Sequence, residues 1–204
     1  MDKKKTMIYI VRHGETDWNI EQKMQGHTDI PLNTNGEKQA QAIAKDLKNI
    51  QLDIIYSSPL SRALDTATII NNHHKTKLIT DNALRERQFG ELEGKTYEEI
   101  NAYHPSLLFN ASWNFPNYRP PGGESVNDIK TRVSAFAQNI LKKNQGKSIL
   151  IVSHGVTLRI LIGTFIGVPP EQLTQLRIKN AALTVIEISN GIPTLHVINR
   201  QSIA

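Results

Sequence analysis

IYIVRHGET, residues 8–16, is the stretch on which the reading of this chain turns. Met7 to Val11 is a short apolar run rich in Ile and Val, the pattern of a buried strand. It stops at a cation, an imidazole and a glycine, Arg12, His13 and Gly14. A buried strand that delivers these residues to its carboxyl end feeds a loop suited to holding an anion.

The rest of the chain supplies partners for such a strand. After a polar loop, Thr34 and Glu37 have capping-box spacing, and Ala40, Ile43, Ala44 and Leu47 recur at helical intervals. Asp53 to Ser57 predicts a second strand. Ser58 as N-cap and Pro59 at the first helical position then open a helix to about Asn71. Lys77 to Thr80 reads as a third, weak strand and Leu84 to Gly94 as a loop, and Thr96 with Glu99 caps a short helix. Ser125 opens a helix with Ile129, Val133, Phe136, Ala137 and Ile140 on one face, followed by a strand at Ser148 to Val152 and a helix at Gly155 to Ile166. Ala182 to Ile188 and Leu195 to Val197, flanking Ser189-Asn190-Gly191, predict an antiparallel hairpin. Alternating β and α elements imply an α/β fold with a mostly parallel sheet covered on both faces, whose ligands bind at the carboxyl ends of the strands. Residues 1–204 are expected to form one domain, with the proline-rich and aromatic stretch at about 103–124 as a covering excursion.

Composition narrows the function classes. A chain of 204 residues can bury roughly 70% of its unfolded surface. With no cysteine it has neither a disulfide framework nor a thiolate metal site. The apolar run after the basic start is too short for a signal peptide, and no segment approaches the roughly 18 apolar residues of a membrane span. A cytoplasmic protein with no membrane partner is expected. The net charge of +5 favours anionic ligands, but Lys3, Lys4 and Lys5 look like a solvated tail and the other basic residues form no stripe, so no nucleic-acid partner is expected.

Three predicted strands end in chemically loaded turns: Arg12-His13-Gly14, then Ser57-Ser58-Pro59 with Arg62 in the first helical turn, then Ser153-His154-Gly155. Two histidines and two arginines gathered by three βα turns make a cationic pocket rich in hydrogen-bond donors. A phosphoryl group fits it, because guanidinium forks match phosphate oxygens in pairs, helix N-termini offer unpaired N–H groups and glycines permit close backbone approach. Such a pocket needs no metal and no cofactor. His13, at the strand end, is the candidate nucleophile provided its other ring nitrogen is held by an acceptor. A leaving alkoxide needs a proton, and Glu86 in the loop can supply it. Bound phosphate would keep that carboxyl protonated, although the flanking Arg85 and Arg87 oppose the effect. Plainer readings stand beside these: a structural histidine at 13, a surface ion pair of Arg62 with Asp65, and a solvated acidic rim of Glu86, Glu91 and Glu93. His27, His73, His74, His104 and His196 have no metal-ligand arrangement.

In order along the chain, VRHGETDWN, QGHTDIPLNTNG, SSPLSRALDTA, LRERQFGELEG, PGGES and VSHG resemble the histidine phosphatase superfamily, the phosphoglycerate-mutase-like proteins. The resemblance covers nearly the whole chain and implies a three-layer α/β/α sandwich. It implies His13 as a phosphohistidine-forming nucleophile, Arg12, Arg62 and His154 as the remaining phosphate pocket, Glu86 as proton donor, and Asn19 near the phosphate. Arg119 is a candidate for meeting a second acidic group on a substrate, while Trp113, Phe115 and Tyr118 pack the excursion or line a substrate mouth. The activity implied is hydrolysis of small-molecule phosphomonoesters, similar to the broad-specificity bacterial phosphatases. A cofactor-dependent phosphoglycerate mutase and an inert phosphate-binding domain remain as alternatives. Only about thirty residues separate GELEG from PGGES, a shorter cover than the glycolytic mutases carry, and this favours water as acceptor.

Overall fold

A computed structural model describes residues 5–103 and 116–202. Its strands are β1 (Lys5–Arg12), β2 (Ile54–Ser57), β3 (Leu78–Thr80), β4 (Ser148–Ser153), β5 (Leu183–Ser189) and β6 (Ile192–Arg200). Its helices are α1 (Asp17–Ile20), α2 (Thr34–Leu47), α3 (Ser61–Asn71), α4 (Tyr97–Tyr103), α5 (Val126–Lys143) and α6 (Gly155–Ile166). The strands form one sheet in the order β3-β2-β4-β1-β5-β6. Neighbours from β3 to β1 are parallel, whereas β5 runs antiparallel to β1 and β6 antiparallel to β5. The fold is the expected α/β arrangement, a mostly parallel sheet completed by an antiparallel hairpin.

Strand alternation explains the layers. In β1, Ile8 and Ile10 point to one face and join Ile149 and Ile151 of β4 and the apolar stripes of α5 and α6. Tyr9 and Val11 point to the other, with Leu150, Val152 and the buried sides of α2 and α3. Both faces of β1 are thus covered, which is why its sequence reads as an uninterrupted apolar run. Among the described residues no helix is long and apolar enough to cross a membrane.

The parallel register sets the site. Arg12 lies opposite Ser153, and Ser57 opposite Val152, so β1, β2 and β4 end level with one another. The residues that follow, His13, Ser58 and His154, are delivered to one edge.

Several boundaries differ from the sequence reading. The polar loop after β1 contains α1, because Thr16 and Asn19 close a capping box that uses Asn in place of Glu or Gln. Asn33, not Thr34, caps α2, its side chain accepting from the Gly36 N–H. Helix α3 starts at Ser61 rather than at Pro59, since the Ser58 hydroxyl is committed to His154 and to the Leu60 N–H. The first hairpin strand is shifted by one residue, and the second runs longer than expected, β6 extending from Ile192 to Arg200 as an edge strand in which Pro193 is tolerated. Of the excursion at about 103–124, His104, Trp113 and Phe115 lie outside the described residues.

Candidate active site

His13 directly follows β1 and is 2% exposed. Its Nδ1 is 2.7 Å from the Gly14 carbonyl, which can only accept, so Nδ1 carries the hydrogen and Nε2 keeps its lone pair. No described residue hydrogen-bonds Nε2. Burial, with the Arg12 and Arg62 guanidinium charges added to it, holds the imidazole well below the usual histidine range, so it is neutral near pH 7. A neutral imidazole with one committed and one free nitrogen is chemically a nucleophile.

Gly14 is needed for packing. A Cβ there would sit 2.4 Å from the Gly36 carbonyl oxygen, so the glycine lets the loop rest on the first turn of α2. The expectation that glycines in these turns open the way to a ligand therefore does not describe Gly14. At Gly155 a Cβ would meet Glu86 Oε2 at 3.7 Å and Arg12 Cζ and Nε at 3.8 Å, ordinary contacts.

His154, beyond β4, is fully buried, its ring centroid 5.1 Å from that of His13. Arg62 Nε donates to its Nδ1 at 3.2 Å, which leaves Nε2 to donate to Ser58 Oγ at 2.8 Å. This imidazole is also held neutral, first by burial and then by Arg62, His13 and Arg12. Arg62 itself has no exposed surface and spends two further N–H groups on the carbonyls of Thr28 and Gly26. Burial lowers its guanidinium to about 10, still cationic at neutral pH. Two of its five donors remain for a ligand, and no ion pair to Asp65 is formed. Arg12 Nη1 donates to the Ile178 carbonyl at 2.6 Å, while its buried Nε has no partner.

Glu86 reaches the site from the loop after β3. Its carboxylate accepts from the N–H groups of Val156 and Thr157 at the start of α6 and from the Arg87 N–H, while the Thr157 hydroxyl donates to the Arg85 carbonyl at 2.6 Å. The backbone beneath it is bolted down. Arg132 of α5 donates to the carbonyls of Ala83, Arg85 and Glu86 while gripping both oxygens of Glu124 at 2.9 Å. Burial alone would raise the Glu124 carboxyl, but Arg132 and the Gln88 N–H hold it below the usual range. Glu93 collects the N–H groups of His27, Thr28 and Phe89, and His27 Nε2 donates to the Glu86 carbonyl. The rim role considered for Glu93 thus gives way to a structural one.

Arg12, His13, Arg62, Glu86 and His154 are brought together as the sequence suggested, with Asn19 beside them. Thr16 N–H, the Thr16 hydroxyl and Asn180 Nδ2 all donate to Asn19 Oδ1, leaving the Asn19 Nδ2 hydrogens for a ligand. Arg119 is not part of the group. It pairs with Asp128 at 2.7 Å at the N-terminus of α5, which draws it to that rim. Sequence reasoning missed Ser58, whose own hydroxyl hydrogen stays free, and Gln25, buried with its Nε2 on Thr16 Oγ1 and its Oε1 unpaired. It also missed His27 and Asn180. The QGH and SSP segments stood in the motifs; no local signal marks Asn180.

A family model described as histidine phosphatase superfamily (branch 1) matches residues 8–201. The "uncharacterized phosphatase PhoE" of Bacillus subtilis is 36% identical over 184 residues, 90% of this chain and 89% of the relative. The "probable phosphoglycerate mutase GpmB" of Proteus mirabilis is 34% identical, over 90% of this chain and 86% of its own length. Among solved structures, phosphoserine phosphatase from Entamoeba histolytica in complex with 3-phosphoglyceric acid superposes with a TM-score of 0.84 at 32% identity, covering 96% of this chain and 98% of that one.

Proposed function

Since the chain belongs to the histidine phosphatase superfamily, we propose that it is a metal-independent phosphomonoesterase acting on small organic phosphates in the cytoplasm through a phosphohistidine on His13. The observation that carries this reading is the His13 imidazole, tied through Nδ1 to Gly14 and free at Nε2, in the field of two guanidinium groups.

The phosphoryl group lies between Arg12, Arg62 and Asn19, with the Ser58 hydroxyl as a further donor. His13 Nε2 attacks phosphorus, the bond from phosphorus to the ester oxygen breaks, and the Glu86 carboxyl gives its proton to the departing alkoxide. Glu86, now a carboxylate held by the donors of α6, takes a proton from water. That water attacks the phosphohistidine, releasing inorganic phosphate and restoring His13 and the acid form of Glu86. The fixed cations serve because they are in place before charge develops. The phosphatase names among the relatives support hydrolysis; the mutase name keeps transfer to a second substrate hydroxyl as the competing reading.

The test is phosphate release from aryl, alkyl, sugar and phosphoglycerate monoesters in excess chelator, comparing the wild type with His13→Ala. Release by the wild type and a loss of roughly 10⁴-fold or more in the variant is expected. Strict dependence on Mg²⁺, or a variant that keeps most of its turnover, overturns the mechanism. Interconversion of 3- and 2-phosphoglycerate without net release selects the mutase.

A further inference from the structure

We propose that Asn180, in the connection between α6 and β5, is a positioning residue that fixes both the tautomer of His13 and the phosphate-facing amide of Asn19. The inference rests on the reading of His13 as nucleophile. Asn180 Nδ2 lies 3.1 Å from the His13 carbonyl, 3.2 Å from the Gly14 carbonyl and 3.1 Å from Asn19 Oδ1. All three are acceptors, so the amide must present its NH₂ here; the reverse orientation would set a carbonyl against three oxygens.

Two of these contacts act on the chemistry at one remove. The Gly14 carbonyl is the group that takes the His13 Nδ1 hydrogen, and a backbone carbonyl has two lone pairs. Asn180 occupies the other side of it, so the oxygen that selects the tautomer is itself held in place. The third contact fixes Asn19: with Oδ1 accepting from Thr16 and Asn180, its Nδ2 hydrogens are the ones left for a ligand. One amide thereby orients the attacking nitrogen and one of the donors that binds the group it attacks.

The neighbouring backbone reinforces the role. Ala181, at φ +49°, donates its N–H to the Arg12 carbonyl at 3.0 Å and the His13 carbonyl at 3.2 Å. Ala181 can hold only the backbone through this bond. Of these two residues it is Asn180 whose amide reaches the Gly14 carbonyl and the Asn19 side chain. A nucleophile misplaced by about an ångström loses on the order of 10²-fold in rate, which sets the scale of the effect.

The experiment is Asn180→Ala, read by steady-state kinetics with an aryl phosphate and by ¹⁵N NMR of histidine-labelled protein, with the His13 signals assigned by their loss in His13→Ala. The wild type is expected to show His13 as the Nδ1–H tautomer alone. The variant is expected to show both tautomers, a kcat lower by about 30- to 100-fold and a raised KM. An unchanged tautomer in the folded variant, or kcat and KM both within twofold of wild type, overturns the proposal, as does an Nε2–H tautomer in the wild type. Should Asn180→Ala not fold, Asn180→Asp keeps the shape but aims a carboxylate oxygen at the three acceptors. It should be impaired at neutral pH and regain activity on acidification relative to wild type, and a flat ratio overturns the proposal. If the wild type turns over no phosphomonoester, the nucleophile reading has failed, and the tautomer comparison still decides what Asn180 does.

Discussion

The two sides of the proposed phosphate pocket are built by different physics. The His13 side grows from β1, covered on both faces, and its polar groups are settled by neutral hydrogen bonds with Gly14, Asn180 and Ala181. The proton-donor side hangs on no strand at all. Glu86 sits in a loop fastened by charge, through Arg132, Glu124, Glu93 and the start of α6. His13, proposed as a nucleophile that stays neutral, is buried beside two guanidinium charges that disfavour its protonation. Glu86, proposed as the proton donor, is instead held by backbone N–H groups of α6 on a loop fastened by the Arg132–Glu124 ion pair.

The contrast is sharpened first by removing the titrating group alone. Glu86→Gln should slow alkyl phosphates by about 10²- to 10³-fold and aryl phosphates with good leaving groups much less, in steady-state assays. Equal losses would mean that Glu86 does not protonate the leaving oxygen. Arg132→Ala should come next, because it strands the Glu124 carboxylate and frees three carbonyls of the acid loop. A loss of about 3 kcal/mol in urea unfolding is expected, with kcat depressed more than phosphate affinity. If it altered the His13 tautomer, the two sides would not be separately built.

On the nucleophile side, Gly14→Ala drives a methyl into the Gly36 carbonyl and should cost about 2 kcal/mol by the same measurement, since backbone cannot step aside as a side chain can. The smallest expected effect is in pH. His13 and His154 are buried with folded values below the ordinary 6.5, so the unfolded chain binds protons that the folded one refuses. Their contribution is complete above pH 6.5 and is lost as pH falls, by about 1 kcal/mol for each histidine over the first unit below it. Stability that does not change between pH 7.5 and 5.5 would show that neither imidazole is held neutral.

What could be read from the sequence divides along the same line. The β1 and β4 runs, the amphipathic helices and the turn residues Arg12, His13, Arg62 and His154 are local patterns, and each was legible because a strand end fixes where the next residue goes. Local competition misled at Pro59, where an apparent start signal yielded to the bond between Ser58 and His154. The same held at Thr34, where Asn33 next to it was the better cap. Asn180, His27 and Arg132 left no trace, since their function lies in bonds to residues 46 to 167 positions away, and an asparagine or arginine looks the same locally whether or not such a partner waits for it.

The placement of β1 has a consequence for the making of the protein. Its two neighbours in the sheet, β4 and β5, both come from the last third of the chain, and the bonds from Asn180 and Ala181 to the His13 loop span more than 160 residues. Residues that emerge earlier during synthesis wait for those that emerge later, and such long-range closure is slow. A chain still short of Ile178 carries every residue assigned here to phosphoryl transfer, yet lacks the carbonyl that steadies Arg12 and the amide that sets His13. The proposed site is thus complete only once the chain has been made past Asn180.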